Sequence, residues 1–336
     1  MYNPYQLQFL DICSFALAKR ASDIHIEPID DGLRIRIRTN GELSDLATFG
    51  KQAAGHFLES VKTLLKFDMS KLGVPQDTRF RHPQARVNFR GSLLPTSYGE
   101  KICLRLLPRD VNFSLDTYSL EENAKRAIRE LTLKKEGLIL ISGPTGSGKS
   151  TLMYSALGSI DRIKKCVYTV EDPIEYEMGG LIQVPVDHKK ITFPKALRTL
   201  MRQDPDVIMV GEIRDEETAK IAVTAAGTGH LVIATVHANS ALQVLARMRN
   251  LGVSDYDLKS VLLMSSAQRL VRISCPCSKG CDECSFTGVN SRKLVFEALI
   301  KKDGNLQRLG SIDESLASLF AKGQITHEEF NSSKAI

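Results

Sequence analysis

LILISGPTGSGKS (Leu138–Ser150) is the stretch on which the reading of this chain turns. Leu138, Ile139, Leu140 and Ile141 run without polar alternation, the pattern of a strand buried on both faces. Gly143, Pro144, Thr145, Gly146, Ser147, Gly148, Lys149 and Ser150 then fit G-x-x-x-x-G-K-[ST], and a helix-like run begins at Thr151. Glycines at these spacings let backbone N–H groups turn inward around phosphates at the positive end of a helix. Lys149 is placed to reach β- and γ-phosphates, and the Ser150 hydroxyl to bind Mg²⁺. Strand before and helix after supply the context that separates a phosphate loop from a chance glycine-rich turn.

Working outward, three more apolar runs follow: Val167–Val170, Val207–Val210 and Leu231–Ala234. Buried runs alternating with helical segments predict an α/β domain with a mostly parallel sheet. Two of these strands end in acids, Glu171-Asp172-Pro173-Ile174-Glu175 and Gly211-Glu212-Ile213-Arg214-Asp215. Carboxylates at the C-terminal edge of such a sheet point into the ligand crevice, where they hold Mg²⁺ or polarise an attacking water. His230 and His237 flank the third run.

The first part of the chain reads differently. Leu33, Ile35 and Ile37 alternate with Arg34, Arg36 and Arg38, a half-buried strand, and Asn40-Gly41 signals a hairpin. Helical spacing over residues 5–20 and 51–67, with short strands over 79–107, predicts a small α+β domain at 1–107. A linker is expected at 108–120, the nucleotide domain at 121–300, and a polar helical tail at 301–336. With 45 basic and 39 acidic residues interleaved, the net charge of +6 is not gathered into a basic face, and stable nucleic-acid binding is not expected. No apolar run approaches the ~18 residues of a membrane span, and no secretory leader precedes the first helix. The expectation is a cytoplasmic protein.

Seven cysteines are present, and four of them, Cys275, Cys277, Cys281 and Cys284, fall within ten residues. Four thiolates match the ligand number of a structural zinc site; a bare thiol loop, an iron–sulfur arrangement or disulfides are the other readings.

ASDIHIEP (Ala21–Pro28), the phosphate loop, TVEDPIEY (Thr169–Tyr176), RQDPDVIMVGEIRD (Arg202–Asp215) and TGHLVIATVHANSA (Thr228–Ala241) occur in that order. In this series the chain resembles the secretion ATPases that power type II secretion and type IV pili, over residues ~21 to ~300. The resemblance implies a RecA-like P-loop domain behind a smaller α+β domain, ATP held between them with Mg²⁺, and a homohexamer. It also implies a place at the inner face of the cell membrane, on a platform protein, driving pilin or pseudopilin assembly. Carried over position by position, Glu171 acts on the attacking water and Glu212 lies near Mg²⁺. His237 contacts the γ-phosphate, with His230 the second choice. Arg79 and Arg86 of the small domain reach the nucleotide. The family has Gly where Thr78 stands, so the turn beside Arg79 is expected to differ. Assembly-type members carry two C-x-x-C pairs in the cysteine region, here C-x-C and C-x₂-C, which favours assembly. The long N-terminal docking region of many assembly members is not part of this sequence, which favours a pilus-retraction or competence-type member. A DNA-translocating RecA-like ATPase is the alternative of another class, and the lack of Trp and of a basic stripe with stacking residues argues against it.

Overall fold

In the computed structural model, residues 2–85, 87–108, 113–187, 190–277, 280–281, 284 and 287–334 are described. The chain divides into two compact units, Met1–Val111 with Ser274–Ser291, and Asn112–Ile273 with Arg292–Ile336.

The first unit runs α1 (Pro4–Ala18), β1 (Asp23–Ile29), β2 (Gly32–Thr39), β3 (Glu42–Gly50), α2 (Lys51–Leu64), β4 (Gln76–Arg81), β5 (Val87–Thr96) and β6 (Gly99–Pro108). The strands form one sheet in the order β3-β2-β1-β6-β5-β4. The hairpin between β2 and β3 turns at Asn40 and Gly41, with φ of +54° and +92°. Two successive positive φ values are the signature of the tight turn that Asn-Gly favours. Ile24 and Ile26 of β1 pack with Phe9 of α1 and Phe57 of α2. On alternate positions of β1, Glu27 is buried among charged partners, accepting from Arg36 Nε at 2.8 Å and Lys101 Nζ at 3.0 Å. ASDIHIEP is therefore a structural strand with one apolar and one ion-paired side. Thr78 sits inside β4, opposite Gly91 of β5. A Cβ on Gly91 would stand 2.8 Å from the Thr78 methyl, so the bare residue opposite gives the threonine its room. The expected altered turn is a regular strand.

The second unit runs α3 (Glu122–Thr132), β7 (Gly137–Ser142), α4 (Lys149–Gly158), β8 (Val167–Glu171), β9 (Ile182–Pro185), α5 (Phe193–Leu200), β10 (Val207–Val210), α6 (Glu216–Ala226), β11 (Leu231–Val236), α7 (Ala241–Asn250), α8 (Asp255–Val261), β12 (Leu262–Ser274), β13 (Val289–Lys302), β14 (Asn305–Leu309), α9 (Ile312–Ala321) and α10 (His327–Ser332). Its sheet has the order β14-β13-β12-β7-β11-β10-β8-β9, with β12, β7, β11, β10, β8 and β9 parallel in succession. Successive strand residues serve opposite faces. Leu138, Val170, Ile208 and Val232 pack with α5 to α8, while Ile139, Val167, Met209 and Ile233 pack with α3 and α4. This two-sided burial explains the unbroken apolar runs; this unit is α/β with a mostly parallel sheet, and the smaller first unit is α+β.

Three boundaries differ from the expectation. The segment expected as a linker enters the second unit's core, with Phe113, Leu115 and Leu120 buried. The cysteine loop groups with the first unit, where Asn40 Nδ2 donates to Asn290 O at 3.4 Å. The tail completes β13 and adds β14 antiparallel to it, before Leu316 and Leu319 of α9 and Ile325, between α9 and α10, pack with Val271 and Val295. Glu329 of α10, buried, accepts from Arg272 N at 3.0 Å and anchors this end.

Candidate functional site

The register of the parallel strands decides which side chains can meet. Ser142 of β7 pairs with Val236 of β11, and Val210 of β10 pairs with both Val170 of β8 and Ala234 of β11. The phosphate loop, His237, Glu212 and the acidic box therefore leave the sheet at one edge. His230 lies at the other edge. Its carbonyl accepts from Gly137 N, and its Nδ1 lies 3.0 Å from Ala225 O, which removes it from the site.

The loop between β7 and α4 is strained where only glycine serves. Gly143 has φ +145°, and a Cβ there would meet the Gln268 carbonyl oxygen at 2.4 Å. β12 supports the loop from behind: Gln268 Nε2 donates to Ser147 O at 2.7 Å and to the Tyr118 hydroxyl at 3.1 Å. Tyr118 in turn donates to Gly148 O at 3.2 Å. Pro144, Thr145 and Gly146 are exposed at the mouth, and Ser150 and Thr151 are half-buried at the start of α4. Lys149 Nζ donates to the carbonyls of Gly143 at 2.7 Å and Pro144 at 2.9 Å. Burial lowers its pKa, and the charges of Glu212 and Glu175 act against that. An ammonium, a hydroxyl and a helix N-terminus around an open glycine loop are the donor set that a nucleotide's phosphates require.

Glu212 joins His237 to the sheet edge. His237 Nε2 lies 2.8 Å from Glu212 Oε1, and Arg214 Nη2 lies 2.6 Å from Glu212 Oε2. Arg214 also stands 3.9 Å from Asp172 of the acidic box. Sequence reading missed this bridging arginine.

Glu171 is placed differently from the expectation. It is the last residue of β8 and is 4% exposed. Tyr154 Oη donates to its Oε2 at 2.5 Å, while Thr169 Oγ1 at 2.6 Å and Gln183 Nε2 at 3.1 Å donate to its Oε1. Burial pushes its pKa up, against the pull of these three donors. A carboxylate so enclosed is poorly set to meet a water at the nucleotide. Glu175, four residues on and half-buried, is the acidic-box carboxylate whose charge reaches Lys149. Arg79 is exposed on β4, one of the two edge strands of the first unit's sheet. Arg86 lies outside the described residues.

The four clustered cysteines bring their sulfurs within 4.8 Å of one another. Cys275 and Cys281 stand 3.8 Å apart, Cys281 and Cys284 3.8 Å, and Cys277 and Cys284 3.5 Å. A tetrahedral ion with bonds of ~2.3 Å sets its sulfurs about 3.8 Å apart, so the spacing fits zinc. Gly280 and Gly288, with φ of +86° and +73°, make the turns, and Cys275 N donates to Gly288 O at 2.7 Å.

The sequence profile of the family described as "Type II/IV secretion system protein" matches residues 6–328. The chain belongs to this family. It is 39% identical over 317 residues to the type II secretion system protein E of Dickeya dadantii, covering 86% of this chain and 64% of that protein. It is 38% identical over 326 residues to the type II secretion system ATPase E of Vibrio cholerae, covering 88% of this chain and 64% of that one. The chain thus spans less than two thirds of the length of these relatives. Among solved structures, the pilus retraction motor PilT with bound ADP aligns with a TM-score of 0.70 and 27% identity, over 97% of both chains. The ATPase DotB of Legionella pneumophila shares the fold, with a TM-score of 0.74 at 23% identity over 96% of this chain and 94% of DotB. No helix among the described residues is long and apolar enough to cross a membrane.

Proposed function

We propose that this chain is the subunit of a homohexameric ATPase motor on the cytoplasmic face of the inner membrane. There it acts on a platform protein to drive pilin or pseudopilin assembly. The convergence of the phosphate loop, the Glu212–His237 pair and the acidic box on one sheet edge carries this reading. It is supported by the 38% identity to a protein named as a type II secretion ATPase.

ATP with Mg²⁺, when bound, supplies the phosphoanhydride and the cation that draws charge from it. The loop amides and Lys149 hold the phosphates, and Lys149 exchanges its two loop carbonyls for phosphate oxygens. Ser150 and Glu212 would hold the Mg²⁺. His237, anchored on Glu212, senses the γ-phosphate end. Glu175 orients the attacking water, the role the resemblance gives to Glu171. Arg79 and Arg86 supply positive charge to the transferring phosphoryl group, a contribution worth roughly 10³–10⁵ in rate where an arginine finger is engaged.

Two measurements test the reading. The full chain should release phosphate from ATP in a Mg²⁺-dependent way; a chain that binds ATP without turnover would be a regulatory binder instead. Cells lacking the gene should lose surface pili or secreted substrate, with recovery on complementation. Excess pili would assign retraction, and DNA-stimulated hydrolysis with a steep salt dependence would assign the translocating class.

The cysteine cluster is read as structural zinc. Purified protein should contain about one zinc per chain by elemental analysis, and Cys284→Ser should reduce that content and lower the thermal midpoint, since structural zinc contributes folding free energy. Wild-type protein with well under one zinc per chain would leave a bare thiol loop.

A further inference from the structure

The acidic box is held at both ends by a single clamp, made of buried Tyr154 and half-buried Gln183. At its start, the Glu171 carboxylate takes the Tyr154 hydroxyl at 2.5 Å and the Gln183 amide at 3.1 Å. At its far end, the Tyr176 carbonyl lies 3.1 Å from that same hydroxyl and 2.9 Å from that same amide. Gln183 Nε2 and Tyr154 Oη are themselves 3.2 Å apart, and Gln183 Oε1 accepts from Met178 N at 3.0 Å. Asp172, Pro173, Ile174 and Glu175 are the residues between the two gripped ends.

The clamp has little freedom of its own. Tyr154 is fully buried on α4, the helix that Lys149 and Ser150 begin. Its ring stacks on Phe113 at 5.0 Å between centroids and meets Tyr176 edge-on at 5.5 Å. Phe113 also meets Tyr176 at 4.9 Å, closing a triangle of rings. Gln183 is placed by β9, where it pairs with Thr169, another donor to Glu171. The phosphate loop's own helix and the edge strand thus fix one short acidic segment together.

We propose that Tyr154 and Gln183 are positioning residues: by tying the Glu171 carboxylate to the Tyr176 carbonyl, they set the loop from which Glu175 faces the nucleotide. This rests on Glu175 being the acid that orients the water. Catalysis is sensitive to such placement, because a shift of about 1 Å in a reacting group can cost on the order of 10²-fold in rate.

Tyr154→Phe keeps the ring triangle and removes only the hydroxyl. In the full chain, with ATP and Mg²⁺, it should lower kcat about tenfold. The Kd for a fluorescent ATP analogue should stay within about twofold, while the thermal midpoint falls by a few degrees because the buried Glu171 Oε2 loses its donor. Gln183→Leu should behave alike, and the double variant should be little worse than either, because both break one network. In a Glu175→Gln background, Tyr154→Phe should have no further effect on the residual rate. A role in general packing would instead lower nucleotide affinity along with kcat, and would persist in that background; that result overturns the proposal. Tyr154→Phe turning over at the wild-type rate while Glu175→Gln is inactive overturns the clamp alone. Glu175→Gln turning over normally overturns the assignment of Glu175 and the clamp with it.

Discussion

Glu175→Gln is expected to lower ATP turnover about 10³-fold while leaving nucleotide affinity within about twofold, and Glu171→Gln is expected to keep turnover within about tenfold of wild type. The first figure follows from the usual 10²–10⁴ contribution of a positioned acid or base. An amide at Glu175 has the size of the acid but cannot draw a proton from water, so the loss falls on kcat and spares binding. Glu171 differs because its oxygens are already taken by Tyr154, Thr169 and Gln183. Burial pushes its pKa up while the three donors pull it down. Glutamine keeps one oxygen to accept from Tyr154 or Thr169, at the cost of facing an N–H toward one former donor. Phosphate release and analogue titration on the two variants side by side decide the matter. The opposite ranking, with Glu171→Gln inactive and Glu175→Gln active, would restore the role that the resemblance gives to Glu171.

The different surroundings of these two glutamates show what a sequence conceals. TVEDPIEY offers both acids after an apolar run, and the nearer one invites the role because strand ends face the crevice. Strand β8 runs one residue further than its apolar letters, so Glu171 is still inside the sheet. Only the partners brought by α4 and β9 reveal that its carboxylate is enclosed, and those partners are separated from it by 17 and 12 residues. The same limit applies to Phe113 to Leu120, whose apolar residues are too irregularly spaced to betray burial in the second unit. The cysteine loop's association with the first unit lies beyond any local pattern. By contrast, the phosphate loop and the buried strands were readable because their chemistry is local: glycines where φ is positive, and unbroken apolar runs where both sheet faces are covered. Asn40-Gly41 was readable for the same reason. His237 follows β11 at the edge where the loop leaves the sheet, and His230 precedes that strand at the other edge.

Lys149→Ala is expected to be the other severe variant, with turnover reduced about 10³-fold or more and ATP affinity weakened at least about tenfold. Its signature separates it from Glu175→Gln, because Lys149 acts on phosphates in the ground state as well as on the charge that develops as they are cleaved. The structure gives the reason for the size of the effect. The ammonium is desolvated, which lowers its pKa, and it is held charged by Glu212 and Glu175. A desolvated cation aimed at an anion stabilises it more than a solvated one does. Without the lysine, Glu212 keeps Arg214 as a partner but Glu175 loses a nearby positive charge, so the variant loses an attraction to the phosphates and bares more of the acidic box to them. Lys149→Arg keeps the charge but replaces a compact ammonium, seated on the Gly143 and Pro144 carbonyls at 2.7 and 2.9 Å, with a wide planar fork. It should recover part of the affinity and little of the rate. Turnover of Lys149→Ala within tenfold of wild type would mean that hydrolysis does not occur at this loop.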